Sequence, residues 1–227
     1  MKLKEIIDSL KYGELINISW DNANRLPQII TQINLGLLNL YTRFPILEKS
    51  VAIRQFPQIS LYHLTKEYAR SNEDSNQTIR YILDTPFEPF EEDILQITGA
   101  TDEFGLPVPL NDDNNPNSWF IPAYNQLQIP NAKLGDTAFL IYKAKPKYID
   151  PKTTDFDQDV YLPQILLDPL LNYVTYKIYL GLGGENAQLA QGYQQLYEKL
   201  CNDVAINNLL NDHSTVTNIK FVIRGFI

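Results

Sequence analysis

Residues 24–45, NRLPQIITQINLGLLNLYTRFP, form the stretch that decides the fold of the first part of the chain. Apolar side chains recur there every three or four residues, as on one face of an α-helix. This stripe consists of Leu26, Ile29, Ile30, Ile33, Leu37, Leu40 and Tyr41. Asn24 is a candidate N-cap, and Pro27 suits the first turn, where its missing N–H needs no partner. Pro45 disfavours continuation, so the pattern predicts a helix over residues 26–44.

Helical spacing is also found at both ends of the chain. The first segment, residues 3–10, has one apolar face, and a longer pattern covers residues 162–180. Pro169 falls inside the longer pattern and is expected to kink the helix or to split it into two pieces. The sequence GLGG at 181–184 predicts a tight reversal into a final helix over residues 186–202. The side chains expected to point inward on that helix are Leu189, Tyr193, Leu196, Tyr197 and Leu200.

The middle of the chain changes to the alternating pattern of β-strands. Alternation on both sides of the turn-like sequence QFPQ at 55–58 predicts a hairpin of residues 51–53 and 59–61. Further candidate strands are residues 93–98 (DILQIT), 119–121, 126–129 (QLQI) and 138–144 (AFLIYKA).

The order of these elements predicts an α+β fold with a single composite domain over residues 1–227. The N- and C-terminal segments, 1–48 and 160–205, are expected to form a helical bundle. The mostly-β region, residues 50–155, is inserted between them, and segment 214–227 is expected to be extended.

The composition argues against several classes of function. The chain has 19 Lys and Arg against 27 Asp and Glu, a net charge of −8, whereas a nucleic-acid binder carries the opposite sign. The one cysteine, Cys201, excludes an intramolecular disulfide framework and is expected to be a small buried hydrophobe. The two histidines, His63 and His213, provide few candidate side chains for metal binding or acid–base catalysis. We therefore expect no enzyme activity, no metal and no cofactor. The absence of a signal-like or membrane-spanning window predicts no membrane association.

Three patterns look like functional motifs but lack parts of them. Asp155, Asp157 and Asp159 have the spacing of the first calcium-loop ligands, yet the turn glycine and the bidentate acid of such a loop are missing. The glycines at 181–184 follow a predicted helix instead of a strand, so we interpret them as a helix–helix turn. The acids at 88–93 are interpreted as a charged approach that discourages pairing at the edge of a strand.

The end of the sequence, IKFVIRGFI at 219–227, is rich in apolar residues. Chain ends fray unless they are tied down, so this segment is expected either to join the protein's own sheet or to dock on a partner by strand addition. The sequence leaves both alternatives open. The candidate partner-docking residues are Phe221, Val222, Ile223, Phe226 and Ile227.

Several stretches of the chain are similar in sequence, and in their order, to one known protein family. They are IIDSLKYGELINIS (6–19), QIITQINLGLLNLYTRFPILEKSVAI (28–53), Tyr62 with Tyr68-Ala69, PFEEDILQITGATDEFGLPVPLND (89–112), LQIPNA (127–132) and YLPQILLDPLLNYVTYKIYLGLGG (161–184). In these stretches the chain resembles the head-to-tail adaptor proteins of short-tailed bacteriophages, of the tail tubular protein A type.

The resemblance implies a structural virion protein of the neck or tail, assembled in the host cytoplasm. Adaptors of this kind form a ring, typically of twelve copies, which binds the portal protein and the tail nozzle or other tail proteins. DNA passes through the lumen of the ring without specific binding during packaging, retention and ejection. The family architecture, a helical bundle with an inserted β region, agrees with the fold predicted from the residues.

Two other functions stay open at this point. The chain is alternatively another ring, neck or tail protein of the virion, which differs only in its axial position. A hydrolase or carbohydrate-binding module is the alternative from a different class, with the aromatic β region as a sugar-stacking surface. Its candidate residues are Trp119, Phe120 and Tyr124.

Overall fold

The computed structural model describes residues 1–20 and 24–210, which belong to two compact units. The helical unit comprises Met1–Ile46 and the chain from Lys147 onward, and it contains every α-helix of the described residues. The β unit, Leu47–Pro146, contains every strand of the described residues. The predicted α+β fold, with helical end segments and an inserted β region, is confirmed. The single composite domain stays a prediction, because it concerns the relation between the two units.

The helical unit is built around one central helix. Its described elements are α1 (Leu3–Tyr12), α2 (Arg25–Arg43), a 3₁₀ turn (Gln164–Leu166), α3 (Leu167–Leu182) and α4 (Asn186–Ile206). Helix α3 contacts each of the other three helices. It is buried without interruption from Pro169 to Thr175 and again at Ile178 and Tyr179. A helix that is apolar on nearly all sides needs neighbours on all sides, and this property makes α3 the axis of the unit.

Helix α2 packs against α3 through a glycine. The predicted helix over residues 26–44 is confirmed to within one residue at each end. Gly36 lies in its buried face, where an added Cβ atom would be 2.6 Å from Leu170 Cδ1 and 2.9 Å from Tyr173 Cδ1. The side chains of Leu170 and Tyr173 on α3 therefore pack directly against the α2 backbone at Gly36, where α2 has no side chain of its own.

The C-terminal helices differ from the prediction in two ways. The segment over residues 162–180 does begin in two pieces, a 3₁₀ turn that ends at Leu166 and α3 that begins at Leu167. Pro169 is not the point of division, because it lies in the first turn of α3, where its missing N–H would have no acceptor within the helix. Helix α4 continues past residue 202 to Ile206. The inward orientation predicted for Leu189 and Leu196 is wrong, since these side chains are 53% and 42% exposed. Tyr197 is buried as predicted, and the other buried residues of α4 are Ala190, Cys201 and Val204.

The β unit contains two antiparallel sheets. The described strands are β1 (Glu48–Arg54), β2 (Leu61–His63), β3 (Ile82–Leu83), β4 (Ile94–Thr101), β5 (Gln126–Gln128) and β6 (Thr137–Ala144). The larger sheet has the order β3-β1-β6-β4, and β2 pairs with β5 in the smaller sheet. The predicted strands at 93–98, 126–129 and 138–144 are confirmed as β4, β5 and β6. The candidate strand at 119–121 is wrong, because it forms only isolated bridges.

The hairpin predicted around residues 55–58 is wrong. Strand β1 pairs with β3 and β6, whereas β2 pairs with β5 in the other sheet. Directly after β1, the Gln55 N–H donates to the Asp136 carbonyl oxygen at 2.8 Å. The next N–H, that of Phe56, donates to the Tyr62 hydroxyl at 2.8 Å. The backbone donors of the turn are thus taken by the Asp136 carbonyl and by a side-chain hydroxyl instead of by the backbone of residues 59–61, so the two runs do not pair.

Two buried tyrosines fix loops of the β unit to its core. The Tyr81 hydroxyl donates to the His63 carbonyl at 2.9 Å and accepts the His63 N–H at 2.8 Å. The Tyr62 hydroxyl donates to the Phe56 carbonyl at 3.2 Å and accepts the N–H of the same residue. The two rings meet edge to face with centroids 5.0 Å apart. Each hydroxyl therefore satisfies both backbone polar groups of one residue inside a core, where unpaired groups are unfavourable.

We expect the protein to lose stability steeply at alkaline pH. Burial raises the pKa of Tyr41 to about 12. Burial is also the first cause of the raised pKa values of Tyr62, Tyr81, Tyr142, Tyr173, Tyr193 and Tyr197. Unfolded tyrosine ionises at about pH 10, so the unfolded state releases protons first as the pH rises. The stabilising contribution is fully present below about pH 10 and is lost as the pH rises through the folded pKa values.

The measurement is a paired titration of tyrosinate absorbance and far-ultraviolet circular dichroism. The buried tyrosines are expected to ionise in the same narrow pH interval in which the ellipticity is lost. Complete ionisation of all 14 tyrosines while the ellipticity is unchanged would contradict their burial.

Candidate functional site

The described residues hold no group of three or more His, Cys, Asp or Glu side chains placed to bind a metal ion. The calcium-like acids make local contacts. Asp159 Oδ1 lies 3.0 Å from the Lys2 ammonium, and Asp155 Oδ1 accepts the Asp157 N–H at 3.1 Å. These are the contacts of an ordinary polar loop.

Two of the acids at 88–93, Glu91 and Asp93, contact a lysine. Lys49 Nζ lies 2.7 Å from Asp93 Oδ2 and 2.9 Å from Glu91 Oε2, and the Tyr142 hydroxyl donates to Asp93 Oδ1 at 3.0 Å. Partial burial lowers the pKa of Lys49, but its hydrogen bonds to Asp93 and Glu91 outweigh this effect and raise the pKa overall. The acids lead into β4, which is an edge strand of the larger sheet, as their interpretation as a charged edge approach requires.

The cysteine and the described histidine have structural surroundings. Cys201 is fully buried, which confirms its prediction as a small buried hydrophobe, and burial raises the pKa of its thiol. The His63 ring stacks on Tyr68 with centroids 6.3 Å apart. His213 lies outside the described residues.

The glycines between α3 and α4 form the predicted helix–helix turn. Gly183 and Gly184 have φ values of 66° and 59°, a left-handed backbone that favours glycine. The Asn186 N–H donates to the Gly183 carbonyl at 3.2 Å and begins the next helix. The interpretation as a turn rather than a phosphate loop is confirmed.

Two tight turns of the β unit hold phenylalanine side chains in solvent. The first carries Phe87, which is 98% exposed. This turn is closed by backbone bonds in both directions between Thr85 and Glu88, at 3.1 and 3.4 Å. The Thr85 hydroxyl also accepts the Glu88 N–H at 3.1 Å. Phe87 is therefore presented by a short, closed loop.

The second turn carries Phe104, which is 79% exposed, and is organised by Asp102. Asp102 Oδ1 accepts the N–H groups of Phe104 and Leu106 at 2.9 and 2.8 Å. The Asp102 carbonyl accepts the N–H of Gly105, whose φ is 77°. Exposed aromatic side chains on a fixed backbone are typical anchors of protein–protein interfaces. These two turns are the candidate docking turns of the β unit.

Sequence analysis did not identify the docking turns. A signal exists in the sequences TPFE (85–88) and DEFG (102–105), which place an aromatic residue among turn-forming Pro, Asp and Gly. Turn chemistry alone does not reveal whether the ring packs inward or points into solvent.

The sugar-stacking surface considered for the β unit loses its first candidate. Trp119 is only 8% exposed, so its ring is not available to stack on a sugar, and this role is wrong. Phe120 is half-buried. Tyr124 is exposed, with Lys145 Nζ 5.3 Å from its ring centroid.

The candidate partner-docking residues at the C-terminal end lie outside the described residues, together with the rest of segment 214–227. Their role stays a prediction. They are Phe221, Val222, Ile223, Phe226 and Ile227.

In the part of the chain that the structure describes, no helix has the length and apolar character needed to cross a membrane.

Comparison with known proteins identifies the family of the chain. No curated protein matches the chain significantly. The family model described as SU10 adaptor protein matches residues 1–218, nearly the whole sequence. The match confirms the adaptor resemblance in its broader sense, while the tail tubular protein A type stays a prediction. The chain thus belongs to the SU10 adaptor protein family.

Proposed function

We propose that this chain is a structural protein of a phage virion and forms the adaptor ring between the portal and the tail. The observation that carries the proposal is the adaptor family match over residues 1–218. The proposed role is mechanical rather than enzymatic. It requires surfaces that join copies and partners and extend the DNA channel for genome retention and ejection.

The fold supports a role of this kind. Neighbouring copies close a ring through heterologous contacts, in which two different surfaces of the same chain meet. The helical unit, packed around α3, supplies a firm body for such contacts. In the β unit, the docking turns with Phe87 and Phe104 supply anchors for portal or tail proteins.

The charge of the chain suits a DNA channel. Each copy carries a net charge of −8, so a ring of about twelve copies is strongly acidic. An acidic wall repels phosphates and lets DNA slide, whereas a basic wall would hold DNA by counterion release.

The apolar C-terminal residues are proposed to bind the portal. Deletion of residues 219–227 is expected to leave a folded protein whose affinity for the portal of the same phage falls about tenfold or more, because a few buried side chains, aromatic ones among them, carry most of the binding energy of an interface. The affinity is measured by biolayer interferometry, and the fold is checked by circular dichroism.

The matched control replaces Lys220 and Arg224 with alanine, which changes the same segment but keeps its apolar side chains. Loss of folding on truncation would place the segment in the protein's own core and contradict the docking role. Failure of the full chain to bind the portal would contradict the adaptor function itself.

A further inference from the structure

A groove of the helical unit is lined by two cationic side chains, Arg25 and Lys177, that have no carboxylate partner among the described residues. Its volume is about 430 Å³, and it lies between the beginning of α2 and the end of α3. Spacing of three and four residues places the side chains of α2 on one face of that helix. The described lining residues are Arg25, Gln28 and Gln32 from α2 and Lys177, Ile178, Gly181 and Leu182 from α3.

Two buried polar atoms of residues that line the groove have no hydrogen-bond partner among the described residues. They are the Arg25 Nε donor and the Gln32 Oε1 acceptor. Buried polar atoms in folded proteins are nearly always paired. The hydrogen-bonding capacity of Arg25 and Gln32 is therefore unfilled within the described residues.

Lys177 adds a positive charge that the protein does not neutralise within the described residues. Its Nζ lies 4.9 Å from the ring centroid of Tyr176 and 5.5 Å from that of Tyr173. The hydrogen bond with Tyr176 raises the pKa of Lys177, so the ammonium group stays charged at neutral pH. Aromatic faces attract a cation but carry no net charge, so the described lining of the groove remains positive.

We propose that this groove binds a carboxylate side chain, Asp or Glu, from a second copy of the chain. The planar guanidinium of Arg25 matches the two oxygens of a carboxylate, and Lys177 adds a point charge. Ile178 and Leu182 offer apolar contact for the methylene groups of the ligand.

The choice of a second copy rests on the proposed ring and on charge. The chain carries 27 acids against 19 Lys and Arg, so an acidic surface of a neighbouring copy is complementary to an isolated positive groove. A desolvated charge pair between copies would also fix the register of the ring, because a shifted register leaves both charges unpaired.

The first experiment is an NMR titration of the full chain with N-acetyl-aspartyl amide, which offers one carboxylate and amide N–H groups. We expect a saturable shift of the Arg25 Nε–Hε signal that is absent when sodium chloride is added to the same ionic strength. Gly181→Gln is expected to abolish the shift, because an added side chain meets no atom within 4 Å there and fills the groove. The control is Gly192→Gln on α4, another glycine with open space.

The second experiment measures assembly of the full chain, alone or on its portal. The double variant Arg25→Gln/Lys177→Gln is expected to raise the concentration for half-assembly about tenfold, the usual effect of losing a charge-assisted pair. The control is Lys152→Gln/Lys199→Gln, which removes the same charge from exposed positions of the helical unit.

The site and its occupant are tested separately. Asp21 lies four residues before Arg25 and outside the described residues, and it is a competing carboxylate of the same chain, so the titration is repeated with Asp21→Asn. Absence of the shift in both proteins overturns the site. A shift only in Asp21→Asn means that the chain's own Asp21 fills the groove and overturns the second-copy assignment. Binding of the probe with unchanged assembly of the double variant overturns the same assignment. If the wild type does not assemble even on its portal, the proposed ring is contradicted, while the titration still decides whether the groove binds carboxylate.

Discussion

Replacement of Gly36 by leucine is expected to destabilise the helical unit by about 3 kcal/mol or more. An added Cβ atom alone would lie 2.6 Å from Leu170 Cδ1 and 2.9 Å from Tyr173 Cδ1, closer than real side-chain contacts allow. A leucine side chain must therefore push α2 away from α3 or displace both neighbours. Because α3 is the axis of the unit, this movement affects the packing of the whole unit.

The matched control is Gly192→Leu, which makes the same exchange on α4 where no atom lies within 4 Å of the added Cβ. There the exchange is expected to stabilise the protein by about 0.5–1 kcal/mol, since leucine is a better helix former than glycine. The measurement is urea unfolding followed by circular dichroism at the helical band. Equal unfolding midpoints for the two variants would contradict the close approach of α2 and α3.

Serine in place of Phe87 or Phe104 is expected to weaken binding of the chain to its neighbours in the virion without destabilising the fold. Both rings are largely exposed, so their removal takes little packing from the folded protein. An anchoring aromatic side chain contributes about 2 kcal/mol or more at an interface, or about thirtyfold in affinity. The measurement is the affinity for the portal and for isolated tail proteins, together with the unfolding midpoint.

Two further variants serve as controls for the turn with Phe104. Glu103→Ser changes an exposed side chain of the same turn without removing an apolar anchor and is expected to bind normally. Phe104→Tyr keeps the ring and is expected to retain most of the affinity. Normal binding by both Phe87→Ser and Phe104→Ser would show that the docking turns do not contact a partner.

The helices could be predicted from the sequence because their signals are local. In α2 the apolar period, the N-terminal proline and the proline after the helix all lie within 22 residues, and they place both ends to within one residue. Which side chains of a helix are buried was harder to predict from the sequence. Residues 189 and 190 of α4 are both small or apolar, and only the position of α3 decides that Ala190 is covered and Leu189 exposed.

Strand partners were harder to predict, because they depend on distant residues. The alternation in β1 and β2 resembles a hairpin, but β1 pairs with β6, about 90 positions later in the chain. The proposed carboxylate-binding groove was equally hard to predict, because it too depends on residues that are distant in sequence. Arg25 and Lys177 are far apart in sequence, and neither belongs to a motif, so only the packing of α2 against α3 brings them to one groove.

Assembly of the chain into a ring on its portal is measured by light scattering. The mass is determined for the full chain alone, for the portal alone and for their mixture. We expect the mixture to form a single particle whose added mass equals a fixed number of chains, about twelve, since a closed ring has a defined copy number. If the chain keeps the mass of a monomer and the portal keeps its own mass in the mixture, the chain does not form a ring on the portal.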